Sequence, residues 1–493
     1  MEPQTPAGLA TRLTDWLCDR VLTTGRVTDS VHHEHGTYAE GFATLALALQ
    51  PGDPARERAL RLTLRHSLAR PRDSEFDQLA LLLLCLRRPG EYLQPSDIRV
   101  YDGRRVVSRN WIAMRALNFS LRARLTSNRA DAARAEQLWK KVLAWQTPEG
   151  LFLDSPVGEV APVTYHAKFC AMLALEAREL GQPSAERASA LERGLGALEA
   201  LVSPSGVLVP YGRSRGALFG YAAAALALLL AGSPSQRQAG WRVVARMGEF
   251  LQSDGHIPCV LNQGEAERLD WDVYVNNPDY NAYAAALLAW LGEVRPEPTE
   301  PSAGVPVRQL GPLCILQSET AYVAVVTRGQ SAPWNTPFFC DFRTYGMQPL
   351  WWEENGKCLL SPVPYRWQGE SKMGPVVSPV DHGWLPWLRR GKQVFLPRVY
   401  SEIQVTDEGQ GVVRIEGRGS LTAYTRIPRW MRGLFALLML PIPQFWVRTL
   451  PVEVVRVLRL DLEQQAIELE TSYSPEPDDE GDPCAGRVCF STS

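Results

Sequence analysis

VRPEPTEPSAGVP, residues 294–306 of the 493-residue chain, separates two kinds of sequence. Its prolines fix φ and remove backbone donors, so no helix runs through it and it reads as a linker. Toward the N-terminus, apolar residues recur at i, i+3, i+4 and i+7, the spacing of one helix face. The pattern predicts helices over 7–23, 37–50, 54–70, 74–87, 108–126, 129–146, 163–181, 184–202, 215–232, 234–252 and 279–292. Short connections alternate with longer ones rich in Gly, Pro and Asp, as stacked helical hairpins require. No repeat is evident in the letters themselves. Toward the C-terminus, CILQSETAYVAVVTRG (314–329) and VEVVRVLRLDL (452–462) are rich in Val, Ile, Thr and Tyr and bounded by turn residues, the mark of antiparallel sheet.

The expected fold class is therefore multidomain α + β: an N-terminal (α/α) toroid of helical hairpins (1–295), a Pro-rich linker (296–306), an antiparallel β-sandwich (307–473) and a loose acidic tail (474–493). Composition fits a soluble globular protein, with 45% hydrophobic and 22% charged residues and a net charge of -2. That balance excludes the basic signature of a nucleic-acid binder. The opening MEPQTPAGLATRLTDWLCDRVL has no basic segment followed by an apolar one, and Cys18, Cys85 and Cys170 sit in helical apolar patterns as reduced core residues. A cytoplasmic location is expected. RWMRGLFALLMLPIPQFWVR (429–448) has two readings, a buried hairpin or loop, and a peripheral membrane contact with Arg at the headgroups and Trp430 and Trp446 at the interface.

Unusual polar residues fall at the starts of alternate helices. Tyr38 and Glu40 open the second, Asn110 and Trp111 the fifth, and Tyr165 and His166 the seventh. Tyr211, Arg213 and Arg215 precede the ninth; Asp279, Tyr280, Asn281 and Tyr283 open the eleventh. The intervening helices start with ordinary solvated charge. In a toroid the alternate helices line the inside, so these groups should gather at one rim, where helix N-termini also favour an anion. Each has a plainer reading: Asn110 or Thr164 as a helix cap, Arg213 and Arg215 as surface charge, Tyr280 and Tyr283 as core. His32, His33 and His35 are spaced so that they share no helix face, and no phosphate loop, dinucleotide fingerprint, serine elbow or zincin motif occurs, so no metal or cofactor is expected.

With RNW at Asn110 and TYHAK at Tyr165 about one hairpin apart, and EGLFLDSP (149–156) ahead of the Tyr, the chain resembles the heparinase II/III-like polysaccharide lyases. The resemblance implies β-elimination from a uronic-acid-containing oligo- or polysaccharide. Asn110, aided by Arg213 or Arg215, would neutralise the carboxylate, and Tyr165 would act as general base or acid. The group's early β-domain His is missing from 333–362, which keeps Asp341, so His166 or His382 would supply the second proton-transfer group. Trp111, Tyr211, Tyr280, Asn281, Tyr283, Glu40 and His382 would line the substrate site. Two other readings stay open. One is a glycoside hydrolase on the same toroid, using two carboxylates among Glu40, Asp77, Asp154, Asp272 and Asp279. The other is a non-catalytic carbohydrate-binding protein of an exopolysaccharide pathway.

Overall fold

The structure is a computed structural model that describes residues 5–28, 38–50, 52–69, 75–100, 108–154, 161–181, 184–212, 214–261, 277–292, 294, 307–318, 320–329, 346–360, 388–390, 393–426, 445–474 and 486–491. The chain divides into two compact units, the first formed by Met1–Pro156, Ala161–Leu208 and Arg213–Ser302, the second by Ala303–Ser493 with two short earlier segments, one of them Val209–Gly212.

All eleven α-helices of the described residues belong to the first unit: α1 (Pro6–Thr24), α2 (Ala39–Leu49), α3 (Pro54–Ala69), α4 (Glu75–Arg87), α5 (Arg109–Thr126), α6 (Arg129–Leu143), α7 (Val163–Leu180), α8 (Ala185–Ala200), α9 (Leu218–Ala231), α10 (Pro234–Glu249) and α11 (Asn277–Leu291). Each coincides with an expected run. Burial separates two sets. In α2, α4, α9 and α11 nearly every residue is buried, whereas α3, α6 and α10 bury one stripe only. A helix apolar all round belongs inside a bundle, and a striped one belongs at its surface.

The inner helices pack in sequence, α2 on α4, α4 on α5, α5 on α7, α7 on α9, α9 on α11, and α11 back on α2, which closes a ring. Outer helices α1, α3, α6, α8 and α10 back it, and among the described residues only the 3-10 turn Pro95–Asp97 lies between α4 and α5. Small residues permit the close approach: a Cβ on Gly220 of α9 would lie 2.5 Å from the Thr164 side chain of α7.

A turn recurs after three of the outer helices. Thr147 N donates to Leu151 O, Ser203 N to Val207 O and Gln252 N to His256 O, at 2.8–2.9 Å; Gly150, Gly206 and Gly255 close the turns by donating to Thr147, Ser203 and Gln252 O. All three glycines have positive φ, and a Cβ on Gly150 or Gly206 would meet a backbone carbonyl of the next outer helix at 2.3 or 2.1 Å. TPEG, SPSG and QSDG thus form a short repeat that the sequence reading does not recognise.

The second unit holds two antiparallel sheets. One runs β1 (Val307–Leu310), β2 (Leu313–Gln317), β3 (Ala321–Val326), β4 (Gln348–Glu354) and β5 (Lys357–Leu360) in sequence order. The other runs β6 (Leu388–Arg390), β7 (Gln393–Gly409), β8 (Val412–Arg426), β9 (Phe445–Asp461), β10 (Ala466–Ser474) and β11 (Gly486–Ser491), also in order. One apolar core draws on both, with Leu316, Val323, Val325 and Trp352 from the first and Tyr400, Ile415, Leu458 and Leu469 from the second. The tail departs from expectation: β11 pairs with β10 from Ala466↔Ser491 to Thr471↔Gly486, so this part of it is sheet. Among the described residues, no helix is long and apolar enough to cross a membrane. The linker and 429–444 lie outside the described residues.

Candidate functional site

The first turns of the inner helices converge at one end of the ring. Tyr38, which precedes α2, stacks on Phe76 of α4 with ring centroids 4.1 Å apart, and Phe76 meets Trp111 of α5 edge-on at 5.7 Å. Tyr165 of α7 lies 5.7 Å from Phe219 of α9, which in turn meets Tyr280 of α11 at 4.9 Å. Two aromatic runs of three rings each therefore line this end, one at the starts of α2, α4 and α5 and the other at those of α7, α9 and α11.

Two carboxylates are set into this end, each on the start of a neighbouring helix. Helix N-termini leave backbone N–H groups without intrahelical acceptors. Asp154 Oδ1 accepts from Asn110 N at 2.8 Å and from Asn110 Nδ2 at 2.7 Å. Asp279 Oδ1 accepts from Tyr38 N at 3.0 Å and so joins the last inner helix to the first. Both aspartates are buried. Asn110 is not a cap: the N-cap of α5 is Ser108, and Asp154 does the capping from outside the helix. Thr164 is not a cap either, for the N-cap of α7 is Pro162 and the Thr164 hydroxyl donates to Ser214 O at 2.8 Å.

Lys168, at the end of the TYHAK stretch, is the centre of the cluster and is absent from the residues expected there. Its side chain donates to Asn110 Oδ1 at 3.4 Å, and Nζ lies 4.5, 5.3 and 5.7 Å from the ring centroids of Phe76, Phe219 and Tyr165. It is only 4% exposed. The signal was a single lysine inside the apolar run of α7. Ammonium groups sit favourably against aromatic faces.

Tyr165 is held by Ser214, whose hydroxyl lies 3.1 Å from the phenol oxygen. Ser214 is fully buried at φ 55°, a left-handed conformation that costs a non-glycine residue about 1–2 kcal/mol. Consecutive residues of α7 clamp it, Thr164 at the carbonyl and Tyr165 at the hydroxyl. Within GRSRG the contact to Tyr165 thus comes from the serine. Arg215 is buried beside it, and Arg213 lies outside the described residues. The Tyr38 phenol is pushed well above its ordinary range by burial first, and then by Asp279, Tyr165 and Tyr283, so it stays protonated at neutral pH.

Several expected site residues serve the scaffold. His166 is buried with both ring nitrogens engaged. Nδ1 accepts from Phe152 N at 3.2 Å, which places the proton on Nε2, and Nε2 donates to Gly194 O at 3.1 Å. Burial pushes its pKa down to about 4 against the smaller opposing effect of the Gly194 bond. The same task recurs after each glycine turn. The Tyr221 hydroxyl accepts from Leu208 N at 3.2 Å, and Asn281 Oδ1 from Ile257 N at 2.9 Å. His166, Tyr221 and Asn281 are equivalent pins that tie the returning strand to the next inner helix. This removes His166 from proton transfer and Asn281 from substrate contact, because their polar atoms are bound to backbone. Tyr283 packs edge-on against Phe42 at 4.9 Å and is core, its pKa raised by burial. Tyr211 is fully buried and belongs to the second compact unit. Glu40 is fully buried in the first turn of α2. Trp111 remains half-buried, while Tyr280 is buried within the second aromatic run. His382, Asp272, Asp341 and the histidines of 32–35 lie outside the described residues.

No family model matches the chain, that of the heparinase II/III-like group included, and no curated protein matches it. Solved structures similar to it are carbohydrate-active enzymes. A possible member of the GH105 family from Salmonella enterica is 12% identical, with 57% of this chain and 93% of that one covered at a TM-score of 0.44. The GH76A alpha-1,6-mannanase from Salegentibacter is 12% identical, with 58% and 98% covered at a TM-score of 0.45. A polysaccharide lyase is 12% identical, with 58% and 99% covered at a TM-score of 0.42. Hydrolases and a lyase both occur among these structures, and the chemistry has to be read from the residues of this chain.

Proposed function

We propose that the chain is a glycan-processing enzyme that cleaves a uronic-acid-containing oligo- or polysaccharide by β-elimination at the rim of the helical ring. The observation that carries this reading is the adjacency of a phenol, an amide and an ammonium in Tyr165, Asn110 and Lys168. β-Elimination removes the proton next to the carboxylate and needs that carboxylate's charge offset, which hydrogen-bond donors fixed in advance accomplish. The Asn110 amide is held by Asp154 and Ser108, which accept from its Nδ2, and by Lys168, which donates to its Oδ1, so it must release one of these partners to reach a substrate carboxylate. Tyr165, steadied by Ser214, acts as general base in its phenolate form: its own proton passes to solvent beforehand, and the phenolate oxygen then takes the proton from the sugar carbon. Tyr38, whose ring stacks on Phe76 at the same end of the ring, replaces His166 as the donor to the departing oxygen. The two sheets are read as a sandwich on the strength of their shared apolar core.

Hydrolysis is the second reading, favoured by the two buried rim carboxylates Asp154 and Asp279. Incubation of the full chain with a panel of uronate glycans separates the two. Elimination leaves an unsaturated, ultraviolet-absorbing uronate end, whereas hydrolysis leaves only a new reducing end. Tyr165→Phe should lower elimination by at least about 100-fold, the lower end of what a general base contributes. Undiminished turnover in that variant would refute the assignment.

A further inference from the structure

We infer that Arg109, the residue before Asn110, forms an anion subsite at the outer margin of the rim and grips the carboxylate of a uronic-acid unit beside the one that reacts. This rests on the reading of the rim as a glycan site but not on the choice between elimination and hydrolysis. Arg109 is the first residue of α5, and its side chain leans toward the outer helix α6. The guanidinium carbon lies 5.0 Å from the ring centroid of Trp145, just past the end of α6. Trp145 is tied to the segment that carries Asp154, because Leu153 N donates to Trp145 O at 3.0 Å. Unlike the enclosed residues of the cluster, Arg109 and Trp145 are only half-buried, so each still presents part of its surface to solvent.

The guanidinium is incompletely satisfied. Its Nη1 is buried without a hydrogen-bond partner among the described residues. Asp154 acts on it from nearby, yet burial pushes the Arg109 pKa down in spite of that carboxylate. The Asp154 oxygen is already engaged by Asn110 N and Nδ2, and it does not make up for the hydration that Arg109 loses. A buried donor left unmade costs about 1–3 kcal/mol, and more when it belongs to a charged group. A carboxylate arriving from solvent supplies the missing acceptor. Guanidinium donors form a planar fork that matches the two oxygens of a carboxylate, and the Trp145 ring braces the cation from the protein side.

The test is titration calorimetry of several uronic-acid tetrasaccharides, and of the same sugars with their carboxylates reduced to alcohols. The full chain is used in a Tyr165→Phe background, with chromatography confirming that the sugars stay intact. Arg109→Met should weaken the acidic sugars about 10- to 150-fold, the span for a hydrogen bond to a charged group, and leave the reduced ones unchanged. Arg109→Lys, which keeps the charge but not the fork, should recover part of that loss and guards against misfolding of the first variant, with circular dichroism confirming the helices. Trp145→Leu should weaken the acidic sugars about 2- to 5-fold, by loss of the ring that braces the cation. Unchanged affinity for the acidic sugars in folded Arg109→Met refutes the subsite while the glycan reading stands. Equal weakening of acidic and reduced sugars refutes it too, since that is lost packing rather than lost recognition of charge. Failure of the parent chain to bind any of these sugars overturns the glycan reading and this inference together.

Discussion

Replacing His166 with Gln tests whether the ring is a scaffold pin or part of the chemistry. Gln keeps an acceptor for Phe152 N and a donor for Gly194 O but removes the titrating group. In the folded chain the imidazole pKa is pushed down to about 4, and in the unfolded chain it returns to about 6.5. Between these values the unfolded state binds more protons, so stability rises with pH there. The contribution is intact above about pH 6.5, falls as pH drops toward 4, and changes no further below that. The gap of about 2.5 units amounts to about 3 kcal/mol in full, and about 2.5 kcal/mol between about pH 7 and about pH 4.5. Urea unfolding followed by helix circular dichroism, at both pH values and in both proteins, isolates this from the carboxylates they share. The wild-type chain should lose about 2.5 kcal/mol more than the variant on acidification. Parallel losses would mean that the ring protonates without penalty, and the buried pin would be wrong. Folded Gln variant should also keep its turnover; loss of turnover without loss of structure would return His166 to the reaction.

Two further changes probe the ring that carries the site. Gly220→Ala places a methyl group 2.5 Å from the Thr164 side chain, and overpacking of that kind should lower stability by about 1–3 kcal/mol, read as a fall in Tm. Arg115→Met strands Glu75, whose carboxylate is 2.6 Å from the guanidinium with both groups buried, and should cost about 3–5 kcal/mol in urea unfolding. Adding Glu75→Gln should recover most of that loss, because the penalty lies in the uncompensated charge.

The helices were legible in the sequence because their periodicity reports burial directly, and α9 and α10 illustrate the contrast between an all-apolar and a striped run. The convergence of first turns was legible too, since alternate helices of a ring must point the same way. Which residue in each first turn faces the interior was not. Tyr165 and His166 are adjacent, yet one reaches Ser214 and the other the 152–194 backbone, a difference set by rotation about the helix axis. Lys168 was hidden for the opposite reason: a lysine in a helix reads as solvated until packing shows rings around it. The glycine-turn repeat escaped because its conserved element is a backbone conformation, written in different letters as TPEG, SPSG and QSDG.

The bond between Tyr38 and Asp279 joins residues 241 positions apart. On a ribosome adding 5–20 residues per second, the second partner emerges roughly 10–50 s after the first. Throughout that interval the leading edge of α2, apolar and holding Glu40, waits beside a gap in the curved wall. The rim that carries the candidate site can therefore close only after α11 has emerged, and a nascent chain halted before α11 would display that open seam to whatever holds unfinished proteins in solution.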